Sequence, residues 1–182
     1  MRILIASDIH GSAAWCERLV AAFHREEADR LFLLGDILYH GPRNPLPEGY
    51  GPKAVASLLG ALEGRVCAVR GNCDAEIDEV VLGFPLLAEY ALLFVGGRTI
   101  FATHGHRYSR ETPPPLAPGD LLLHGHTHVP CWDSFGEGNL CLNPGSVSLP
   151  KDGSPRGYIL LTDTEIVWKE LDGTAYHSLS LT

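Results

Sequence analysis

The sequence predicts an α/β protein with a mixed, two-sheet core, and three observations predict it. Apolar runs near the start each pass into a polar loop and then into a helix-spaced segment. From residue 86 onward that rhythm gives way to shorter strands joined by hairpin turns. A chain of 182 residues, 45% hydrophobic and 20% charged, suits one globular domain spanning 1–182. At that length it can bury roughly 70% of its unfolded surface.

The elements follow in order. Met1 to Ala6 is an apolar run ending in Ser7-Asp8-Ile9-His10-Gly11, a buried strand that opens into a polar loop. Ser12 is placed to cap a helix over Ala13 to Ala28, where Trp15, Leu19, Val20, Ala22 and Phe23 recur at helical spacing. Leu31 to Leu34 runs into Gly35-Asp36, and Val66 to Val69 into Arg70-Gly71-Asn72-Cys73-Asp74, with a helix over Lys53 to Leu62 between them. Four prolines and three glycines between His40 and Pro52 make that stretch a structured loop, of a length that often carries function. Ala91 to Val95 and Thr99 to Thr103 flank a Gly96-Gly97 hairpin turn. Further strands are expected over Asp120 to His124, Leu140 to Leu142, Tyr158 to Thr162 and Glu165 to Leu171, and Pro113-Pro114-Pro115 keeps its connection non-helical.

Composition excludes several classes. Fourteen basic against 22 acidic residues give a formal charge of -8, which argues against stable nucleic-acid binding by broad neutralisation of the backbone. No apolar run reaches the roughly 18 residues of a membrane span, and the start lacks the regions of a signal peptide, so the expectation is a cytoplasmic protein with no membrane contact. Five cysteines, an odd number without a CxxC pair, read as reduced thiols. Apolar residues exposed on the late strands leave room for a homo-oligomer.

Strand ends in the first two thirds finish on metal-binding residue types: Asp8-Ile9-His10, Gly35-Asp36, Asn72-Cys73-Asp74, His104-Gly105-His106 and His124-Gly125-His126-Thr127-His128. Residues i and i+2 of an extended segment project to one side, so Asp8 with His10, and His126 with His128, can each grip ions of one cluster. Carboxylate, imidazole and amide oxygen together suit Mn(II), Fe(II) or Zn(II), with Ni(II) also admitted, rather than calcium. Asp36 or Asp8 has the two oxygens a bridge needs. Two divalent ions roughly 3.5–4 Å apart would polarise a phosphoryl oxygen and supply hydroxide at neutral pH.

Asp8-x-His10, Gly35-Asp36, Gly71-Asn72-x-Asp74, His104-Gly105-His106 and Gly125-His126-Thr127-His128 resemble, in order and spacing, the calcineurin-like metallophosphoesterases. More narrowly, His40-Gly41-Pro42-Arg43-Asn44, Pro47-Glu48-Gly49-Tyr50, Arg70-Gly71-Asn72-Cys73-Asp74 and Asn143-Pro144-Gly145-Ser146-Val147-Ser148 are similar to the small bacterial YfcE-type phosphodiesterases. The resemblance implies a four-layer α-β-β-α sandwich with metals at the strand C-termini. It implies one metal on Asp8, His10, Asp36 and His128, a second on Asp36, Asn72, His104 and His126, and Asp36 as the bridge. Manganese is the implied activating ion. The implied reaction is in-line attack of metal-bound hydroxide on a small phosphodiester or nucleotide-like substrate. A phosphomonoesterase, a nucleotide pyrophosphatase and a non-catalytic scaffold are the alternatives.

Cys73 stands where many relatives place a histidine that assists the leaving group. A thiol is a weak hydrogen-bond donor with an ordinary pKa near 8.5, a poor substitute, which makes His106 and His40 the candidate donors. Arg43 and His40, in the long loop, are the candidate substrate-binding residues, and Arg43 is open to two readings, a phosphate contact or a salt bridge that anchors the loop. Asp74 either orients its neighbours or, the favoured reading, caps the following helix. Asn143 to Ser146 reads as a turn supporting the His126-to-His128 loop, and His124 as a core or supporting residue, not a ligand. His24 and His177 read as surface residues, and Cys16, Cys67, Cys131 and Cys141 as small residues without a function.

Overall fold

The computed structural model describes residues 1–181. The first sheet has six strands: β1 (Ile3–Ala6), β2 (Arg30–Leu33) and β3 (Val66–Ala68) run parallel, and β9 (Gly157–Leu161), β10 (Glu165–Glu170) and β11 (Ala175–Ser180) extend it antiparallel from β1. The second sheet is ordered β4 (Tyr90–Val95), β5 (Arg98–Thr103), β6 (Leu121–Leu123), β8 (Asn139–Asn143), β7 (Cys131–Phe135), with β5, β6 and β8 parallel. Both sheets are therefore mixed.

Alternation along the strands divides the core. Leu4, Ala6, Leu31 and Leu33 face Cys16, Leu19 and Phe23 of α1 (Ala13–Arg25) and Val55 and Leu59 of α2 (Pro52–Gly60), while Leu82 of α3 (Glu76–Leu82) joins the same cluster. Ile3, Ile5, Phe32 and Leu34 point the other way and meet Ile100, Leu121, Leu123 and Leu142 between the sheets. All three helices among the described residues thus cover the first sheet. On the outer face of the second, Phe101, Leu122 and Cys141 are covered by Tyr108 and Leu116, so among the described residues this outermost layer is the irregular 104–120 segment with its proline run rather than a helix.

Ser12 caps α1 as expected, accepting the Trp15 N–H, but α1 stops at Arg25 instead of Ala28 because Glu27 turns left-handed (φ 50°). Two strands, β7 and β11, join those given by the sequence pattern, and the helix expected after Asp74 is the short α3. His177 is half-buried, not a free surface residue: it stacks on Trp132 with ring centroids 3.9 Å apart and so ties β11 to β7 across the two sheets.

Candidate metal centre

Six parallel strands, three in each sheet, present their carboxyl ends at one edge of the sandwich. β1 delivers Asp8 and His10, β2 Asp36, β3 Asn72, β5 His104, and β6 the loop with His126 and His128. The expectation that each pair projects from extended backbone is corrected here. Asp8, His10, Asp36, His126 and His128 all have positive φ, between 50° and 65°. Left-handed turns in non-glycine residues store strain, so tertiary contacts rather than strand geometry fold these side chains inward. Those contacts are visible. The Asp8 carbonyl accepts from Ser146 Oγ (2.8 Å) and Ser148 Oγ (3.2 Å), while Asp8 Oδ2 accepts the His126 N–H (3.0 Å). Asn143 Nδ2 donates to the Gly125 carbonyl (2.8 Å) and Thr127 Oγ1 (3.0 Å), supporting the His126–His128 loop as the sequence suggests. Gly71 and Gly125 pass so close to Asp36 and Ser7 that a Cβ would collide with those side chains.

The donor atoms fall into two groups around one carboxylate oxygen. His10 Nε2 lies 3.1 Å from His128 Nε2, 3.5 Å from Asp8 Oδ1 and 3.7 Å from Asp36 Oδ2. On the other side His104 Nε2 lies 3.4 Å from the same Asp36 Oδ2, 3.1 Å from Asn72 Oδ1 and 3.3 Å from His126 Nδ1. The second oxygen, Asp36 Oδ1, accepts the Cys73 N–H at 2.8 Å, which fixes the carboxylate's rotation.

Cations fit this arrangement for a reason visible in its hydrogen bonds. His10, His104 and His128 each donate Nδ1–H to a backbone carbonyl, of Tyr39 (2.9 Å), Leu34 (2.7 Å) and Leu149 (2.6 Å). This is the outer bond that orients a metal-binding imidazole and leaves its Nε2 lone pair free. Lone pairs then face lone pairs at His10 and His128, and at His104 and Asn72, while the buried Asp8 Oδ1 receives no hydrogen bond. Only positive charge relieves such contacts, and without an ion a proton supplies it. Burial alone would lower the pKa of His10 and His104, but the Asp8 and Asp36 carboxylates raise both, His104 to about 9. Against the same opposition from burial, the imidazoles hold Asp8 and Asp36 below the usual carboxylate range. Burial and the neighbouring His104 push His126 down to about 4, so it stays a neutral donor.

The remaining candidates surround this cluster. An open pocket of about 500 Å³ is lined by Asp36, Asn72, His126 and His128 on one side and by Arg43, Asn44, Cys73 and Lys151 on the other. Neither Arg43 nor Lys151 has a side-chain ion pair among the described residues, so the loop-anchoring salt bridge is not formed. His40 does not line the pocket; its ring packs edge-on between Tyr39 and Tyr50, with centroids 4.8 and 5.4 Å away. His106 is exposed at the rim with its ring 5.4 Å from that of His104, in a recess shared with Arg70, Asn72, Glu89 and Arg107. Burial and the charges of His104 and Arg107 lower its pKa. Burial, with the Asp36 carboxylate next, pushes the Cys73 thiol up to about 12, which keeps it neutral.

Asp74 takes the reading the sequence disfavoured. It is buried and accepts the N–H groups of Asp36 (2.8 Å), Ile37 (2.9 Å) and Gly71 (2.7 Å), clamping the end of β2 to the end of β3. The cap of α3 is instead Ala75, whose N–H goes to Asp78. Lys151 is the residue that sequence reasoning missed; its only signal was a lone cation shortly after the Asn143–Ser148 turn. His124 is buried with its Nε2 against Cys141 Sγ rather than against the ligand cluster.

Two mixed sheets whose carboxyl ends gather carboxylates, an amide and imidazoles about one shared oxygen define a metal-dependent hydrolase of the α/β class. The chain belongs to the calcineurin-like phosphoesterase superfamily, whose domain model matches residues 1–165. It is 46% identical over 161 residues to phosphodiesterase YfcE of Escherichia coli K12, covering 88% of this chain and 87% of that protein. It is 28% identical over 169 residues to the probable metallophosphoesterase YsnB of Bacillus subtilis, covering 89% and 84%. The solved structure of E. coli YfcE, described as a phosphoesterase, superposes with a TM-score of 0.94 over the whole of both chains at 41% identity. Vps29 of Entamoeba histolytica, solved with Zn2+, shares the fold at a TM-score of 0.64 and 21% identity over the whole of both chains.

Proposed function

We propose that this protein is a metal-dependent phosphodiesterase that holds two divalent ions and hydrolyses a small phosphodiester. The observation that carries the proposal is Asp36 Oδ2, shared by the two donor groups at 3.7 and 3.4 Å. Asp8, His10, Asp36 and His128 would hold one ion, and Asp36, Asn72, His104 and His126 the other. Likeness to a phosphodiesterase at 46% identity supports the choice of substrate class. When bound, the ions polarise the phosphoryl group and lower the pKa of water. The seven donors mix oxygen and imidazole nitrogen without a thiolate, which suits Mn(II), Fe(II) or Zn(II), and manganese is the ion expected from the resemblance to the YfcE-type phosphodiesterases.

The chain's own residues do the rest. Arg43 offers a planar fork and Lys151 a point charge to phosphate oxygens entering the pocket. Their charges offset the acidic balance of the protein locally. Cys73, uncharged, is a weak donor beside the reacting phosphoryl group, which leaves leaving-group assistance to His106 at the rim. Because the lowered pKa of His106 makes it neutral near pH 7, it acts there as a hydrogen-bond donor. Five free thiols agree with a cytoplasmic setting, and among the described residues no helix is long and apolar enough to cross a membrane.

The test is hydrolysis of bis-p-nitrophenyl phosphate and p-nitrophenyl phosphate by metal-stripped protein reloaded with Mn(II), with Asp36→Asn prepared identically. Diester turnover well above monoester turnover, absent in the variant, is expected. Preference for the monoester would make the protein a phosphatase, and no turnover with metal bound would point to a scaffold.

A further inference from the structure

The outer face of the second sheet carries a cluster of two thiols and an imidazole that the metal centre does not use. Leu121 and Leu123 of β6 face the core between the sheets and Leu122 faces outward, so His124 continues the outward row. Cys141 points outward from β8, and Cys131 reaches the same cluster from β7. In the antiparallel register Cys131 opposes Asn143 and Cys141 opposes Asp133, a diagonal that sets the two thiols side by side. Their sulfurs lie 3.8 Å apart, His124 Nε2 lies 3.1 Å from Cys141 Sγ, and the three donor atoms all fall within 4.8 Å of one another.

Two details make this a site rather than a packing accident. Around a tetrahedral zinc ion with Zn–S bonds of about 2.3 Å, two sulfurs stand about 3.8 Å apart, which is the separation the thiols already have. His124 Nδ1 meets the Gly125 carbonyl at 3.0 Å, and a carbonyl can only accept, so Nδ1 carries the proton and Nε2 presents its lone pair to the thiols. Three of the four donors of a tetrahedral zinc site are thus in place, and a water would complete the set.

We propose that His124, Cys131 and Cys141 bind one zinc ion, distinct from the ions at the phosphoesterase centre. On binding, two S–H bonds break, two Zn–S bonds form and two protons pass to solvent; no electron moves. Cys131 is half-exposed and gives the ion its way in. The consequence reaches the metal centre through Gly125, which follows His124 and precedes His126. Its N–H donates to the His104 carbonyl (2.8 Å) and its own carbonyl accepts from Asn143 Nδ2 (2.8 Å). Zinc therefore pins the junction where β6 passes into the His126–His128 loop.

Cobalt(II), zinc's spectroscopic stand-in, tests this directly, because only thiolate ligation gives an intense near-ultraviolet charge-transfer band. Titration of the metal-stripped protein is expected to develop that band to the amplitude of one ion per chain. The band is expected to persist in Cys73→Ser, which removes the thiol beside the phosphoesterase centre, and to be lost in Cys131→Ser and Cys141→Ser. On the unmutated chain, zinc is expected to slow alkylation of Cys131 by iodoacetamide at least tenfold while leaving exposed Cys67 unaffected. No thiolate band, a band that disappears only with Cys73→Ser, or alkylation of Cys131 indifferent to zinc would each overturn the proposal.

Discussion

Truncating Asp74 separates a clamp on the metal centre from a helix cap. Asp74→Ala leaves the N–H groups of Asp36, Ile37 and Gly71, now held at 2.8, 2.9 and 2.7 Å, without their acceptor. Each unsatisfied buried donor costs about 1–3 kcal/mol, whereas losing an exposed N-cap costs about 1 kcal/mol. Burial raises the Asp74 pKa despite the three donors, so removing the carboxylate returns part of its desolvation cost, and a net loss of about 3–5 kcal/mol is expected. Because the clamped backbone is that of Asp36 itself, its shared oxygen moves, and a displacement of about 1 Å is worth a roughly hundredfold loss of turnover. Urea unfolding of the metal-free protein measures the first quantity and Mn(II)-dependent diester hydrolysis the second. Asp74→Asn, which keeps an acceptor for some of the three donors, should fall between. A loss of about 1 kcal/mol with turnover unchanged, the signature of a cap, would refute the reasoning.

Other predictions follow from the same structure. Cys73→His should raise kcat on diesters with basic leaving groups by about tenfold or more, since a positioned imidazole donor contributes far more than a neutral thiol; equal rates across a leaving-group series would count against the role given to position 73. Arg43→Ala and Lys151→Ala should each raise KM more than they lower kcat, and unchanged KM in both would remove phosphate binding from the pocket's outer wall. Glu26 is buried, with its Oε1 accepting from both Lys169 Nζ and Tyr158 Oη at 2.6 Å. Although burial opposes it, these partners hold its pKa below the ordinary carboxylate value. A lowered folded-state pKa gives stability that is present above the unfolded pKa and lost as pH falls through the folded one. Glu26→Gln should therefore cost about 1–3 kcal/mol at pH 7 and progressively less in acid, and a pH-independent difference in unfolding free energy would disprove it.

The ligand motifs were legible because each sits where an apolar run stops, and their type and order are local properties of the chain. Their backbone conformation was not, since the left-handed turns at Asp8, His10, Asp36, His126 and His128 are imposed by partners such as Ser146 and Asn143, distant in sequence. Asp74 read as a cap for the same reason: its acceptors' partners, Asp36 and Ile37, come from another strand's end. Lys151 lies in a connection whose path no periodicity predicts. β7 was obscured by Asp133 and Ser134 among its apolar residues, and β11 by the polar His177, Ser178 and Ser180 that an edge strand tolerates. α3 was expected only as the helix following Asp74, without bounds, because it is short and leaves Ile77, Val80 and Val81 exposed and so lacks the buried stripe that delimits a helix in sequence.

Counting manganese on the wild-type chain and on Asp36→Asn by equilibrium dialysis tests the shared-carboxylate centre most directly. The wild type should bind two ions per chain, and Asp36→Asn should lose one or hold both at least tenfold more weakly. Two ions held by Asp36→Asn as tightly as by the wild type would contradict the bridge on which the account rests.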